Sequence, residues 1–144
     1  MPPGRVLRTR EPERMDPVSA ESFYEQVGGH ETFVRLVHEF YVGVAGDPEL
    51  RALYPGDDLE PAELRFRMFL EQYWGGPATY SEQRGHPRLR MRHQPFKVTP
   101  AQRDRWLTHI MAAVDTLDLA PANDLILRNY LVAAAESMVN SLDD

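Results

Sequence analysis

Residues 68–96 read MFLEQYWGGPATYSEQRGHPRLRMRHQPF, and this stretch decides how the rest of the chain is interpreted. Its glycine pair, Gly75-Gly76, puts two poor helix formers in a row, so a helix that enters the stretch should end there. Pro87 suits the first turn of a second helix. Pro95 disfavours helical backbone at the residue before it, so the second helix should end near His93. The stretch therefore predicts a helix end, a long loop and a short helix.

The short helix predicts an imidazole beside an apolar surface. Leu89 and His93 are four residues apart and share one helical face, while Arg92 lies off that face among other arginines. An iron porphyrin needs an axial nitrogen ligand, apolar walls and cations for its two carboxylates. The chain has 5 histidines, and a single one is also commonly a surface or core residue. The local pattern leaves both interpretations open.

Length and composition predict one globular domain without nucleic-acid or integral membrane partners. The chain has 144 residues, of which 42% are hydrophobic and 26% charged. Its net charge of −6 argues against a general nucleic-acid binder. It has 0 cysteines, which excludes disulfides and thiolate ligands. No apolar run approaches the roughly 18 residues of a membrane span, and there is no secretory signal. A cytoplasmic location is the default expectation.

Apolar periodicity predicts an all-α fold. Residues 1–18 carry few apolar side chains and are expected to be a disordered tail before a domain over 19–144. Ser19 is the predicted cap of the first short helix. On the helix over 61–74, Leu64, Met68 and Tyr73 are predicted to face inward, with three further apolar residues widening that face. The predicted helices cover approximately 19–27, 31–44, 48–54, 61–74, 87–93, 100–117 and 121–141.

The opening stretch also carries a resemblance to a known family. Residues 68–77 (MFLEQYWGGP) and 80–93 (YSEQRGHPRLRMRH) are similar to group II truncated haemoglobins. The resemblance covers Ser22 to Leu142. The other matching features are the Gly28-Gly29 pair, the Phe40-Tyr41 pair, Tyr54-Pro55 and Trp106.

The resemblance implies a truncated globin, a two-over-two helical sandwich around haem b (iron protoporphyrin IX). It implies His93 as the proximal iron ligand and Tyr41, Tyr54 and Trp106 as distal donors to a bound ligand. Ala62 stands where ordinary globins have a distal histidine. Arg92 and Lys97 are the candidates for haem carboxylate contacts, with Tyr80 and Arg84 as further candidates. The expected haem-pocket residues are Phe40, Ala62, Phe66, Phe69, Leu89, Arg92 and Lys97.

The implied function is binding of oxygen and other diatomic ligands at a five-coordinate iron. Transport or sensing is one form of that function. The alternative is a redox enzyme acting on nitric oxide or peroxide, supplied by an unidentified electron donor, and a homodimer is conceivable. Without the family match, Tyr41, Tyr54 and Trp106 could equally fill a core. A cofactor-free helical interaction module is the third hypothesis.

Overall fold

The computed structural model describes residues 21–78 and 98–140. Within these ranges every regular element is an α-helix, as the apolar periodicity predicted. The tail predicted over 1–18 and the short helix predicted over 87–93 lie outside the described residues. The helices are α1 (Phe23–Gln26), α2 (His30–Ala45), α3 (Pro48–Arg51), α4 (Glu60–Tyr73), α5 (Pro100–Asp115) and α6 (Pro121–Met138).

The helix starts follow the capping residues of the sequence, with one correction. The Asp47 side chain accepts a hydrogen bond from the backbone N–H of Leu50 and begins α3. Thr99 and Gln102 form the predicted reciprocal capping box at the start of α5. The prediction of Ser19 as the first cap was wrong, because α1 begins at Phe23 and the Ser22 hydroxyl accepts from the N–H of Glu25.

Two pairs of helices enclose the core. Helix α2 packs against α4, α5 packs against α6, and α2 also packs along α5. This arrangement is the predicted two-over-two sandwich. The apolar face of α2 is fully buried, and its residues are Phe33, Leu36, Val37, Phe40 and Val44. Burial of each such side chain contributes about 1.5–3 kcal/mol, which makes α2 the central element of the fold.

The predicted inner face of α4 was partly wrong. Met68 is buried as expected, but Leu64 is 45% exposed and Tyr73 is 54% exposed. Burial on α4 is concentrated in the single turn 68–71, and Leu64 and Tyr73 lie on either side of that turn. Apolar spacing identified the helix but not how much of its length the neighbouring helices cover.

The glycine pair ends α4 as predicted and also allows close packing. Gly75 has a φ of +98°, and a Cβ there would lie 2.7 Å from the Cβ of Ser22. A Cβ at Gly76 would lie 2.8 Å from the Tyr24 ring and 2.9 Å from the carbonyl oxygen of Glu71. The backbone N–H of Gly76 donates to that same carbonyl at 2.7 Å. Only glycine therefore lets α1 approach the end of α4 this closely.

None of the helices within 21–78 and 98–140 is both long enough and apolar enough to span a membrane.

Candidate functional site

A cavity of about 270 Å³ lies among α2, α4, α5, α6 and the turn after α3. Its walls are mainly carbon. Phe66 and Phe69 come from α4, and Leu131 and Met138 come from α6. A few polar groups reach into this apolar space, which is the usual composition of a small-molecule or cofactor site.

Most of the predicted site residues within the described ranges meet at this cavity. Phe40 is the exception, because it is fully buried behind the wall. Its ring centroid lies 4.9 Å from that of Tyr41 and 5.4 Å from that of Trp106, so it supports two predicted donors from behind. The predicted residues that line the cavity are Tyr41, Tyr54, Ala62, Phe66, Phe69 and Trp106. The predicted residues outside the described ranges are Tyr80, Arg84, Leu89, Arg92, His93 and Lys97.

The three predicted donors lie together at the cavity. The rings of Tyr41 and Tyr54 lie 5.4 Å apart at an interplanar angle of 79°. The side chains of Tyr41 and Trp106 lower the pKa of Tyr54, against the larger effect of burial, which shows that both lie beside its hydroxyl.

Burial keeps both hydroxyls protonated. Burial raises the pKa of Tyr54 to about 12, although the neighbouring side chains of Tyr41 and Trp106 oppose that rise. Burial is also the main reason why the pKa of Tyr41 lies well above the usual value for tyrosine, and proximity to Tyr54 raises it further. Both side chains therefore remain hydrogen-bond donors across the physiological pH range.

We expect Tyr54 to make stability fall in alkaline solution. With a folded-state pKa of about 12, it binds its proton more tightly in the folded than in the unfolded protein. Its stabilisation is therefore complete below the unfolded pKa of about 10 and is lost as the pH rises through the folded value. The thermal midpoint should decline less steeply with alkaline pH in Tyr54→Phe than in wild type. Equal slopes in the two proteins would contradict this pKa.

Two arginines that were not among the predicted site residues also line the cavity. They are Arg65 on α4 and Arg103 on α5. The Arg103 guanidinium donates to Asp104 at 2.9 Å and to Glu136 of α6 at 2.8 Å. Cations beside apolar walls suit a flat apolar group with an acidic edge, as haem has. The observed lining therefore fits the implied cofactor.

Helix α6 supplies a wall that the sequence analysis also missed. Tyr130, Ala134 and Met138 step by four along one face and line the cavity. The spacing of these residues was visible in the sequence. However, a helix face that packs against a core and a helix face that lines a cavity have the same apolar period. The small side chain of Ala134 between two large ones was the available signal for open space.

A buried carboxylate joins the elements that carry two of the donors. Asp47 caps α3, which leads to Tyr54, and it accepts from Arg105 Nη1 at 3.1 Å and pairs with His109 Nε2 at 2.9 Å. Arg105 and His109 flank Trp106 along α5. The hydrogen bond from His109 is the main cause that lowers the pKa of Asp47, against the opposing effect of burial, with help from the Leu50 N–H and Arg105. Asp47 thus holds α3 against α5 beside the cavity.

Comparison with known proteins places these features in context. A family profile described as bacterial-like globin matches residues 22–140. The group 2 truncated haemoglobin YjbI of Bacillus subtilis is 39% identical over 120 residues, which cover 83% of this chain and 89% of the relative. A thermostable haemoglobin from the actinobacterium Thermobifida fusca aligns with a TM-score of 0.84 and 60% identity, covering 85% of this chain and 100% of the other. The group II truncated haemoglobin from Bacillus anthracis aligns with a TM-score of 0.82 and 34% identity, covering 87% and 95%.

Proposed function

We propose, since this chain belongs to the bacterial-like globins as a group II truncated haemoglobin, that its haem is haem b held by His93. Tyr41, Tyr54 and Trp106 are the proposed donors to the diatomic ligand. When bound, the haem iron supplies the open coordination position at which such a ligand binds. The protein supplies the apolar walls and the hydrogen bonds that decide how long the ligand stays.

The convergence of Tyr41, Tyr54 and Trp106 on one apolar cavity is the observation that supports this proposal most. Burial keeps the hydroxyls of Tyr41 and Tyr54 protonated, so each can donate a hydrogen bond. The indole N–H of Trp106 can only donate. A bound ligand that carries partial negative charge would accept from these groups.

Chain connectivity is compatible with His93 as the iron ligand. Val98 lines the cavity, and His93 precedes it by five residues. An extended chain of five residues can span about 17 Å, which is long enough to connect a histidine in the cavity with Val98. The proximal imidazole would then give its second ring N–H to a backbone carbonyl or water, which sets its tautomer.

We expect Trp106→Phe to release oxygen from the ferrous protein about ten times faster, which corresponds to one lost hydrogen bond of about 1.5 kcal/mol. Phenylalanine keeps an aromatic ring in the wall but removes the N–H. Stopped-flow measurement of oxygen dissociation tests this. Trp74→Phe is the matched control, because the buried Trp74 N–H has no hydrogen-bond partner in the described part of the chain. An unchanged release rate in Trp106→Phe would show that Trp106 serves only as packing.

Redox catalysis on nitric oxide or peroxide is the second candidate function. Three donors around one cavity favour slow ligand release, and slow release suits a reaction with the retained ligand better than delivery of that ligand. Oxygen dissociation from the wild-type ferrous protein separates the two functions. Fast release would support delivery, whereas slow release with rapid conversion of nitric oxide to nitrate would support the enzyme.

Haem binding itself is tested by the visible absorption spectrum of the protein. The purified chain, supplied with haem, should show a Soret band that shifts when carbon monoxide is added to the reduced protein. A colourless product after haem addition would instead support the cofactor-free interaction module.

A further inference from the structure

A second aromatic group connects the cavity to the surface. Tyr130 lines the cavity, and its ring stacks on Tyr73 with 4.3 Å between centroids and an interplanar angle of 30°. Trp74 lies against both, at 5.3 Å from Tyr130 and 4.9 Å from Tyr73. Tyr73 is 54% exposed, which leaves its outer part in solvent. The pair therefore forms a continuous ring contact between the cavity and bulk water.

We propose that Tyr130 and Tyr73 carry oxidising equivalents from the cavity to the surface, where Tyr73 oxidises phenolic donors that need not enter the cavity. This inference rests on the proposed haem in the cavity and names hydrogen peroxide as the oxidant. Tyr130 is the inner residue of the path, and Tyr73 is the residue that meets the donor. A phenol too large to enter the cavity could then still be oxidised.

The proton explains why the path ends at Tyr73. One-electron oxidation makes a phenol strongly acidic, so the phenolic proton has to leave. Tyr130 is less exposed than Tyr73, and burial raises the pKa of its hydroxyl to about 12, which disfavours loss of the proton there. The Trp74 N–H has no acceptor among the residues that the structure describes. Tyr73 is the ring of the three that has ready access to water as a proton acceptor.

The reaction balances when two electrons pass along this path, one after the other, for each molecule of peroxide. One molecule of peroxide takes up two electrons and two protons and becomes two molecules of water. In each turn Tyr73 loses one electron and one proton and becomes a neutral phenoxyl radical. A phenolic donor then returns one electron and one proton to Tyr73 and becomes a phenoxyl radical itself. The sum is one peroxide and two phenols giving two waters and two phenoxyl radicals.

Tyr41 does not offer the same route. It is only 6% exposed, and its ring neighbours within the described residues, Phe40, Tyr54 and Phe66, all belong to the cavity or to the core behind it. An oxidising equivalent on Tyr41 would therefore remain inside the protein. Two cavity-lining rings contact the well-exposed Tyr73, with centroid distances of 6.5 Å for Phe69 and 4.3 Å for Tyr130. Tyr130 is the nearer of the two and is the one that carries a phenol.

Radical trapping locates the oxidised residue directly. The ferric haem-loaded protein is mixed with equimolar hydrogen peroxide and a nitroso spin trap, and the adducts are mapped by peptide mass spectrometry. We expect the adduct on Tyr73. Tyr73→Phe should lose it and should oxidise a bulky phenol several-fold more slowly. Tyr130→Phe should keep Tyr73 but greatly reduce its adduct. Tyr24→Phe, which removes a tyrosine outside the path, should leave the adduct unchanged.

The outcomes separate this inference from the proposed function. A normal Soret band and normal carbon monoxide binding without an adduct on Tyr73 would overturn the path and leave ligand binding intact. An adduct on Tyr73 that persists at full yield in Tyr130→Phe would overturn the role of Tyr130 and thus the path. Failure to form a Soret band would overturn both proposals.

Discussion

His93→Ala is expected to lose the Soret spectrum of the wild-type protein and to release haem far faster. Loss of a residue that merely orients a metal ligand costs about 10- to 100-fold in affinity, so loss of the ligand itself should exceed that range. The physical reason is that the described part of the cavity offers the iron no other imidazole. Its lining holds tyrosine, tryptophan, arginine, glutamine and apolar side chains. Absorption spectra and transfer of haem to an acceptor protein measure both effects.

A matched histidine variant controls for loss of stability. His38→Ala removes a 60% exposed imidazole that pairs with Glu63 at 3.2 Å on the outside of the fold. Its spectrum should match that of wild type. Added imidazole should restore a spectrum close to that of wild type to His93→Ala, because the free base can occupy the space that the side chain left. An unaltered spectrum in His93→Ala would refute the assignment of the proximal ligand.

Asp47→Ala is expected to lower the free energy of unfolding by about 3 kcal/mol, the combined loss of a helix cap and of hydrogen bonds to charged partners. The Asp47 side chain is only 8% exposed, so water replaces these bonds poorly. Urea unfolding of the haem-loaded variant and wild type gives the difference. Because the pKa of Asp47 is lowered in the folded state, its contribution is present above the unfolded pKa and is lost as the pH falls through the folded value.

Two variants divide this effect into its parts. Glu49→Ala removes a 71% exposed partner of Arg105 and should change stability by no more than about 0.5 kcal/mol. Asp47→Asn keeps an oxygen that can cap α3 but removes the charge that faces Arg105 and His109, so its loss should lie between those of the other two. Equal stability of Asp47→Ala and Glu49→Ala would show that the buried carboxylate does not hold α3 against α5.

Local chemistry was enough to predict most helix boundaries. Proline at the start of α3, α5 and α6, the capping box of Thr99 and Gln102, and the glycine pair at the end of α4 act within a few residues. Such signals can be interpreted from the chain alone because their partners are neighbours in sequence. The first cap was misplaced for the same reason, since Ser19 and Ser22 both have the right chemistry. Local chemistry also could not show that the Tyr24 N–H donates to the Trp74 carbonyl at 2.9 Å, a hydrogen bond that joins α1 to a distant segment of the chain.

The candidate site also combines features that could be predicted from the sequence with features that could not. Family resemblance predicted Tyr41, Tyr54 and Trp106, and the structure brings all three to one cavity. The resemblance did not predict that the rings of Tyr41 and Tyr54 contact each other, nor that α6 supplies a wall through Tyr130. Those relations join residues that are far apart in the chain. Apolar period reports which face of a helix is turned inward, but it does not report whether that face meets a packed core or an open space.

The amino-acid sequence by itself determined the all-α class, the ends of the helices, the family and the identity of the polar aromatic residues. The tertiary structure alone decided which of these residues meet at the cavity, that Asp47 links α3 to α5, and that Tyr73 is exposed while stacked on Tyr130. The physical reason is the distance along the chain over which each interaction acts. Capping and helix propensity act over about one turn, whereas burial, hydrogen-bond acceptance and ring stacking depend on which distant segments the folded chain brings together.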